Sequence, residues 1–92
     1  MKTEITITYS NGESESFTAS VPEFVKWERK TGLKVTQLGD NVGLDDLLFL
    51  AYNAKKRELG GQPIKPYEIW CDTVDDIRSV DTDSPKATPS EA

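Results

Sequence analysis

The side chains with the greatest chemical potential are one cysteine and a late group of acids, and neither forms a catalytic pattern. Cys71 could act as a nucleophile, but such a thiol is activated by a histidine base and the chain has no histidine. A zinc site needs more Cys or His ligands than this one residue. We therefore predict no catalytic residue, no cofactor and no metal, and we interpret Cys71 as a small apolar core residue.

The late acids could hold a cation only with the right spacing. They are Asp72, Asp75, Asp76, Asp81 and Asp83. A calcium-binding loop requires a strict spacing with a glycine at its sixth position, which this stretch lacks. We interpret these acids as a solvated face.

One further carboxylate, Glu28, has an unusual position. At about 100° per residue it projects from the middle of an apolar helix face. That face consists of Val21, Phe24, Val25 and Trp27. Either the carboxylate reaches solvent at the domain edge, or a cation or backbone amides hold it, because a buried unpaired charge is costly. The candidate cations are Lys55, Lys56 and Arg57, and the buried ion pair that we single out is Glu28 with Arg57.

Composition limits the protein to one small domain without a nucleic-acid-binding surface. A chain of 92 residues buries only about 60% of its unfolded surface, which leaves little room for an internal pocket. The net charge of −5 argues against a nucleic-acid binder, which needs clustered Lys and Arg. The same charge leaves a basic partner, or imitation of nucleic acid, open.

The chain shows neither a leader pattern nor a membrane anchor. Met1-Lys2 leads into an alternating polar stretch. The longest apolar run, Leu47 to Tyr52, is far shorter than the about 20 residues that cross a bilayer. A single cysteine excludes an internal disulfide and fits a reducing compartment. We expect a cytosolic protein without membrane contact.

The elements that must position these residues begin with a β-hairpin. Ile5, Ile7 and Tyr9 alternate with polar residues, which predicts a strand with one buried face. Asn11-Gly12 is a strong hairpin turn signal, and Ser14 to Ala19 is the predicted return strand.

Three helices are predicted after the hairpin. Ser20 and Glu23 match a capping box, and Gly32 caps a helix that ends at about Thr31. After a loop over 33–43, anchored by Leu33, Val35 and Leu38, a second helix is predicted over 44–59. A third is predicted over 66–75, with a brief extended segment over 77–80. The predicted core stripes are Leu44, Leu47, Leu48, Ala51 and Ala54 on the second helix, and Tyr67, Trp70, Val74 and Ile77 on the third.

Three apolar residues on these helices fall outside the predicted core stripes. Phe49 projects to the opposite side of the second helix, where either another part of the chain covers it or it is an exposed anchor for a partner. Leu50 flanks the stripe and Ile69 lies off the third-helix face. We predict that Phe49, Leu50 and Ile69 contact a partner.

The predicted fold is an α+β domain over 1–80, with an N-terminal β-hairpin packed on about three α-helices. From Asp81 to Ala92 the sequence has no large apolar residue. We predict a disordered, acidic and proline-containing tail over 81–92.

Three blocks, taken in order, carry a family resemblance. The first block begins with Trp27-Glu28-Arg29 and ends at Gly32. The second has the pattern Asp-Leu-aromatic-Leu-Ala-aromatic and runs from Asp46 to Arg57. The third has the pattern aromatic-Glu-x-Trp-x-Asp-x-Val and runs from Tyr67 to Val74. With the hairpin and the acidic tail, the chain resembles the small tail assembly chaperones of long-tailed bacteriophages, particularly those that infect actinobacteria. It departs from their pattern at Cys71, where a larger aliphatic is common, and at Asn53, where histidine is common.

The resemblance implies a non-catalytic role in the host cytoplasm. Such proteins bind the long tape measure protein, keep it soluble and help tail tube subunits polymerise around it, and they are absent from the mature virion. The tail tube protein and further copies of the chain are additional partners to consider, while nucleic acid and membrane are not expected.

A programmed frameshift is a further expectation from the resemblance, because many of these phages make a longer product in that way. Ser84-Pro85-Lys86 can be encoded by a heptamer of the form X XXY YYZ. An extension there would leave the core undisturbed. We hypothesise a frameshift at these residues, with the longer form as a partner; ordinary tail composition is the alternative, and codons that break the heptamer would exclude the frameshift.

Two other functions remain open from sequence. One is a structural phage protein, such as a connector or tail completion protein, which would be found in purified virions. The other is an acidic inhibitor that imitates DNA, which would need carboxylates along one face, whereas basic residues interrupt them here.

Overall fold

A three-stranded antiparallel sheet forms one layer of the computed structural model, which describes residues 2–38 and 42–81, with the main chain alone for Asp81. The strands are β1 (Thr3–Tyr9), β2 (Ser14–Ala19) and β3 (Val74–Asp81), in the order β2-β1-β3. The predicted hairpin is therefore confirmed, and β3 pairs with the other edge of β1.

The sheet has one apolar and one polar face, as the alternation in β1 predicts. Ile5 and Ile7 are fully buried and pair with Phe17 of β2 and Ile77 of β3, respectively. The opposite face carries hydroxyl pairs between the strands, such as Thr6 with Ser16 at 3.0 Å between their oxygens. The helices consequently cover only the apolar face.

Helix α1 (Val21–Thr31) has the predicted bounds because both of its ends are capped. Glu23 accepts the Ser20 backbone N–H at 2.9 Å, which satisfies one of the donors that a helix start leaves free. Gly32 adopts φ of 74°, a left-handed conformation that glycine adopts without steric cost.

Helix α2 (Leu44–Leu59) also has its predicted bounds, but its buried face differs from the predicted stripe. The buried residues are Leu50, Ala51, Tyr52, Asn53 and Ala54. Leu44, in the first turn of the helix, is exposed. Helix α2 contacts α1, β2, β3 and the later helix α3 (Tyr67–Cys71), so a wider arc of it is buried than a single stripe would be.

The described part of the segment between α1 and α2, residues 32–38 and 42–43, contains one short turn of structure. Val35–Gln37 forms a 3-10 helix. Val35 and Leu38 pack against the core, as predicted. Leu33 is exposed, so its predicted anchoring role is wrong.

The third helix is shorter than predicted, because β3 takes over its second half. Helix α3 covers only Tyr67–Cys71, and the Thr73 backbone N–H bonds to the Trp70 carbonyl at 3.0 Å as the chain leaves it. Val74 and Ile77, expected on a helical face, lie on a strand, and the predicted extended segment is a full edge strand.

The reason for this error is a register shift within the sheet. Thr8 pairs with Asp76, and Tyr9 pairs with Val74, so Asp75 is an extra residue between them. A bulge of this kind reverses the alternation of side chains. It brings Val74 and Ile77, which are three residues apart, both to the core, and this spacing imitates a helical face in the sequence.

The predicted α+β class is confirmed, with the sheet on one side and three helices on the other. Both tryptophans, Trp27 and Trp70, lie in the core between the layers. The proposed tail beyond Asp81, including the frameshift position at Ser84, Pro85 and Lys86, lies outside the described residues. Within the described ranges, no helix has the length and apolarity to cross a membrane.

Candidate functional site

Leu50, predicted to contact a partner, lies in the core. Its side chain is 1% exposed and belongs to the same cluster as Ile5, Ile7 and Trp27. Leu50 lies within the wide buried arc of α2, whereas the predicted stripe was narrower and placed Leu50 at its edge. The prediction that Leu50 is a surface contact is therefore wrong.

Phe49 is half-buried in a small cluster that joins the three helices. Its ring meets Tyr67 of α3 edge-to-face with 6.5 Å between centroids, and the Lys30 ammonium of α1 lies 4.6 Å from its centre. Asp45 completes the cluster, because Lys30 bonds to it at 3.1 Å and the Tyr67 hydroxyl donates to it at 2.8 Å. Phe49 is thus covered by other parts of the chain, and truncation of its ring should lower stability; its contact with a partner stays a prediction.

This cluster, Lys30, Asp45, Phe49 and Tyr67, also shifts ionisation. The Tyr67 hydrogen bond, followed by that of Lys30, holds the pKa of Asp45 below its usual range. Burial, assisted by Asp45, raises the pKa of Tyr67. Both groups therefore keep their ordinary charge states near neutral pH, and the cluster acts as a fixed bridge between helices.

Ile69 lies on the outer side of α3, off the core face as predicted. Its side chain is 54% exposed. Its neighbour Trp70 faces the core instead, where it packs on Tyr52 with 5.4 Å between centroids. The surface position of Ile69 is confirmed, and its contact with a partner stays a prediction.

Glu28 makes no ion pair with Arg57, so this prediction is wrong. Its Oε2 atom accepts the backbone N–H of Val35 at 2.8 Å. Of the two ways of holding a partly buried carboxylate, the backbone amide is therefore the one observed. Glu28 attaches the 3-10 helix to α1.

Arg57 instead pairs with Glu23, a carboxylate that the sequence assigned only to helix capping. Glu23 is fully buried, and it accepts bonds from Arg57 Nε at 2.7 Å and from Arg57 Nη2 at 2.9 Å. Burial alone would raise the pKa of Glu23, but the hydrogen bonds from Arg57 and Ser20 outweigh it and hold the pKa below its usual range. The pair joins the start of α1 to the end of α2.

A groove that sequence reasoning missed lies on one side of the domain. It has a volume of about 710 Å³. It lies between the turn of the hairpin, the last turns of α2, the connection before α3 and the segment that leads into β3. The Ser10 N–H donates to the Thr73 carbonyl at 2.8 Å and so fixes the hairpin turn against that last segment.

A chain of hydrogen bonds forms the floor of this groove. Trp70 Nε1 donates to the Tyr9 hydroxyl at 3.2 Å, Tyr9 donates to Glu15 at 2.5 Å, and Lys55 donates to the same Glu15 oxygen at 2.9 Å. Burial, with the hydrogen bond to Glu15, raises the pKa of Tyr9 to about 12. For Glu15, burial acts in the raising direction, but Tyr9 and Lys55 outweigh it and lower the pKa. The floor is thus a preorganised polar network with a fixed charge distribution.

Reactive groups do not assemble elsewhere in the described part of the chain. Cys71 is half-buried beside the core, as predicted, and burial raises the pKa of its thiol. Across residues 2–38 and 42–81, no three metal-ligating side chains come together. The two surface features that remain for a possible partner contact are the exposed Ile69 and the groove.

Comparison of the chain with protein-family models, curated proteins and solved structures gives no match.

Proposed function

We propose that this protein is a non-catalytic tail assembly chaperone of a long-tailed bacteriophage, acting in the host cytoplasm on the tape measure protein. The observation that carries the proposal is the order of the three aromatic blocks. Trp27, Tyr52 and Trp70, one from each block, belong to the same core. Residues that build one small scaffold are expected to recur together in a family, so their joint presence supports the resemblance more than any single motif does.

The charge and the exposed apolar side chains suit a protein that holds another chain in solution. Among the described residues, six large apolar side chains are exposed: Val21, Leu33, Val42, Leu44, Ile69 and Val80. Of these, Ile69 lies on the outer side of α3, where it offers a contact to an apolar segment of a partner. The net charge of −5 favours solubility of the resulting complex.

Paired charges argue for this function over imitation of DNA. Among the described residues, basic side chains pair with acids at four places: Lys30–Asp45, Lys55–Glu15, Arg57–Glu23 and Arg78–Asp76. A DNA mimic requires an array of carboxylates with one sign of charge. A competition assay with duplex DNA tests this alternative directly, and displacement of DNA from a nuclease would contradict the chaperone proposal.

Co-expression with the tape measure protein tests the proposal. We expect the chain to raise the soluble fraction of the tape measure protein and to co-purify with it. Aggregation of the tape measure protein to the same extent with and without the chain would refute the function. Mass spectrometry of purified virions separates a chaperone, which is absent from them, from a connector or tail completion protein.

A matched pair of substitutions tests the predicted contact at Ile69. Ile69→Asp should reduce co-purification, because it places a charge in an apolar contact. Val80→Asp is the control, since Val80 is similarly exposed, at 62%, but lies on β3. Equal co-purification of both variants would exclude Ile69 as a contact without excluding the function.

A further inference from the structure

We propose that the groove beside Trp70 binds a short partner segment in which a basic side chain stands next to an apolar one. This inference rests on the proposed function and deepens it, because it identifies a docking surface for the tape measure protein and the chemistry of the segment that docks. The groove has apolar walls, a hydrogen-bonded floor and a charged rim.

The walls of the groove supply apolar contact. Leu59, Pro63 and Ile64 line it on the side of α2 and the following connection. The Tyr52 hydroxyl donates to the Lys65 carbonyl at 2.5 Å, which fixes that connection to the core. An apolar side chain placed here would therefore meet a preformed surface, and preorganisation reduces the cost of binding.

The floor of the groove has a fixed shape, and its carboxylate is already paired. Glu15 already accepts hydrogen bonds from Tyr9 and Lys55, so its charge is compensated inside the protein. The half-buried Tyr9 is of a residue type that is enriched in interface hot spots, and the buried Trp70 positions it through a hydrogen bond to its hydroxyl. The floor therefore favours an apolar group above it, while a charged group of the partner must find its counterion elsewhere.

The rim supplies that counterion. Glu13 and Asp72 are exposed at the groove, and neither forms an ion pair with a described residue. The residues that line the groove include three carboxylates (Glu13, Glu15 and Asp72) and two ammonium groups (Lys55 and Lys65), which leaves one excess negative charge. With the net charge of −5, this excess attracts a lysine or arginine and repels an acidic segment.

The size of the groove sets the length of the segment. Its volume of about 710 Å³ is within the range of about 300–1,000 Å³ that is common for ligand sites. Such a space accepts a few side chains and not a folded domain. We therefore expect a linear stretch of the partner to carry the interaction.

The test uses overlapping short peptides that cover the tape measure protein, with binding followed by fluorescence anisotropy. The groove variant is Glu13→Lys with Asp72→Lys, and the control is Glu68→Lys with Asp75→Lys, which makes the same change in net charge at exposed positions outside the groove. We expect bound peptides to pair Lys or Arg with an apolar residue. Their affinity should fall by about tenfold more in the groove variant than in the control, while thermal unfolding of the two variants stays alike.

Other results would overturn the inference in distinguishable ways. Equal loss of affinity in both variants would assign the effect to overall charge and exclude the groove. Binding of the full tape measure protein without binding of any peptide would exclude a short segment in the groove and leave the proposed function standing. Absence of binding by both the peptides and the full tape measure protein would refute the function as well.

Discussion

Replacement of Arg57 with methionine should destabilise the protein by about 3 kcal/mol, because it leaves a buried carboxylate without its cation. Glu23 is 0% exposed and accepts two hydrogen bonds from Arg57, at 2.7 Å and 2.9 Å. Removal of one partner from a buried ion pair costs about 3–5 kcal/mol. The Arg57 side chain is 43% exposed, so water can reach part of the vacated site, which places the cost at the lower end.

This cost is large for a chain of this size. A stability of about 0.05–0.15 kcal/mol per residue gives roughly 5–14 kcal/mol for the whole chain. A loss of about 3 kcal/mol should lower the Tm by roughly 12–24 °C. Urea unfolding followed by circular dichroism measures the difference, with equal m-values as evidence that the unfolded state is unchanged.

The double variant Glu23→Gln with Arg57→Met separates charge burial from lost packing. Glutamine at position 23 can still accept the Ser20 N–H, as in a capping box, and it removes the uncompensated charge. We expect the double variant to be more stable than Arg57→Met alone. A double variant that is equally unstable, or a loss below about 1 kcal/mol in Arg57→Met, would refute the role assigned to this pair.

The same pair predicts opposite pH responses in the two proteins. In the native protein the pKa of Glu23 is lowered, so its contribution is present above the ordinary carboxyl range and is lost as the pH falls through the folded-state pKa. In Arg57→Met, burial without the cation should raise the pKa of Glu23, so acidification should protonate it and restore stability. The stability difference between the two proteins should therefore shrink as the pH falls.

Substitutions at three single positions have further expected outcomes. Leu50→Ala should cost about 3 kcal/mol and leave partner binding by the folded fraction unchanged, because the side chain is buried; a specific loss of binding would restore its contact role. Trp27→Phe should cost about 1–2 kcal/mol in urea unfolding, since it removes the Nε1 donor to Asp46 at 2.9 Å, and unchanged stability would contradict this. Gly32→Ala should cost about 1 kcal/mol because of the φ of 74°, and Gly32→Asn should cost less.

The parts of the fold that sequence predicts are those that local rules determine. The Asn11-Gly12 turn, the helix start at Ser20 and the end at Gly32 each depend on a few adjacent residues. Most of strand β3 was not predicted, because its structure depends on residues that are distant in the sequence. Its bulge at Asp75 depends on pairing with Thr8 and Tyr9, which are far away in the chain. The bulge gives the apolar residues of this strand a spacing that resembles that of a helix.

The ion pairs show the same limit. Sequence periodicity places Glu28 within an apolar face and shows that it needs a partner, but it does not show which donor is near. The 3-10 helix brings the Val35 N–H to Glu28, and the packing of α1 against α2 brings Arg57 to Glu23. The partner of a charged side chain therefore depends on tertiary packing.

The residues that carry the resemblance are separate from those that we propose to contact a partner. Trp27 and Trp70, which carry the resemblance, are buried. The groove is assembled from segments as far apart as Ser10 and Thr73, joined by a side-chain bond across 63 positions. Partner chemistry therefore depends on exposed rim residues, which can change without loss of the core. Proteins with the same aromatic blocks should accordingly share this fold while differing in the segments they bind, and exchange of the rim residues at 13 and 72 should transfer that preference.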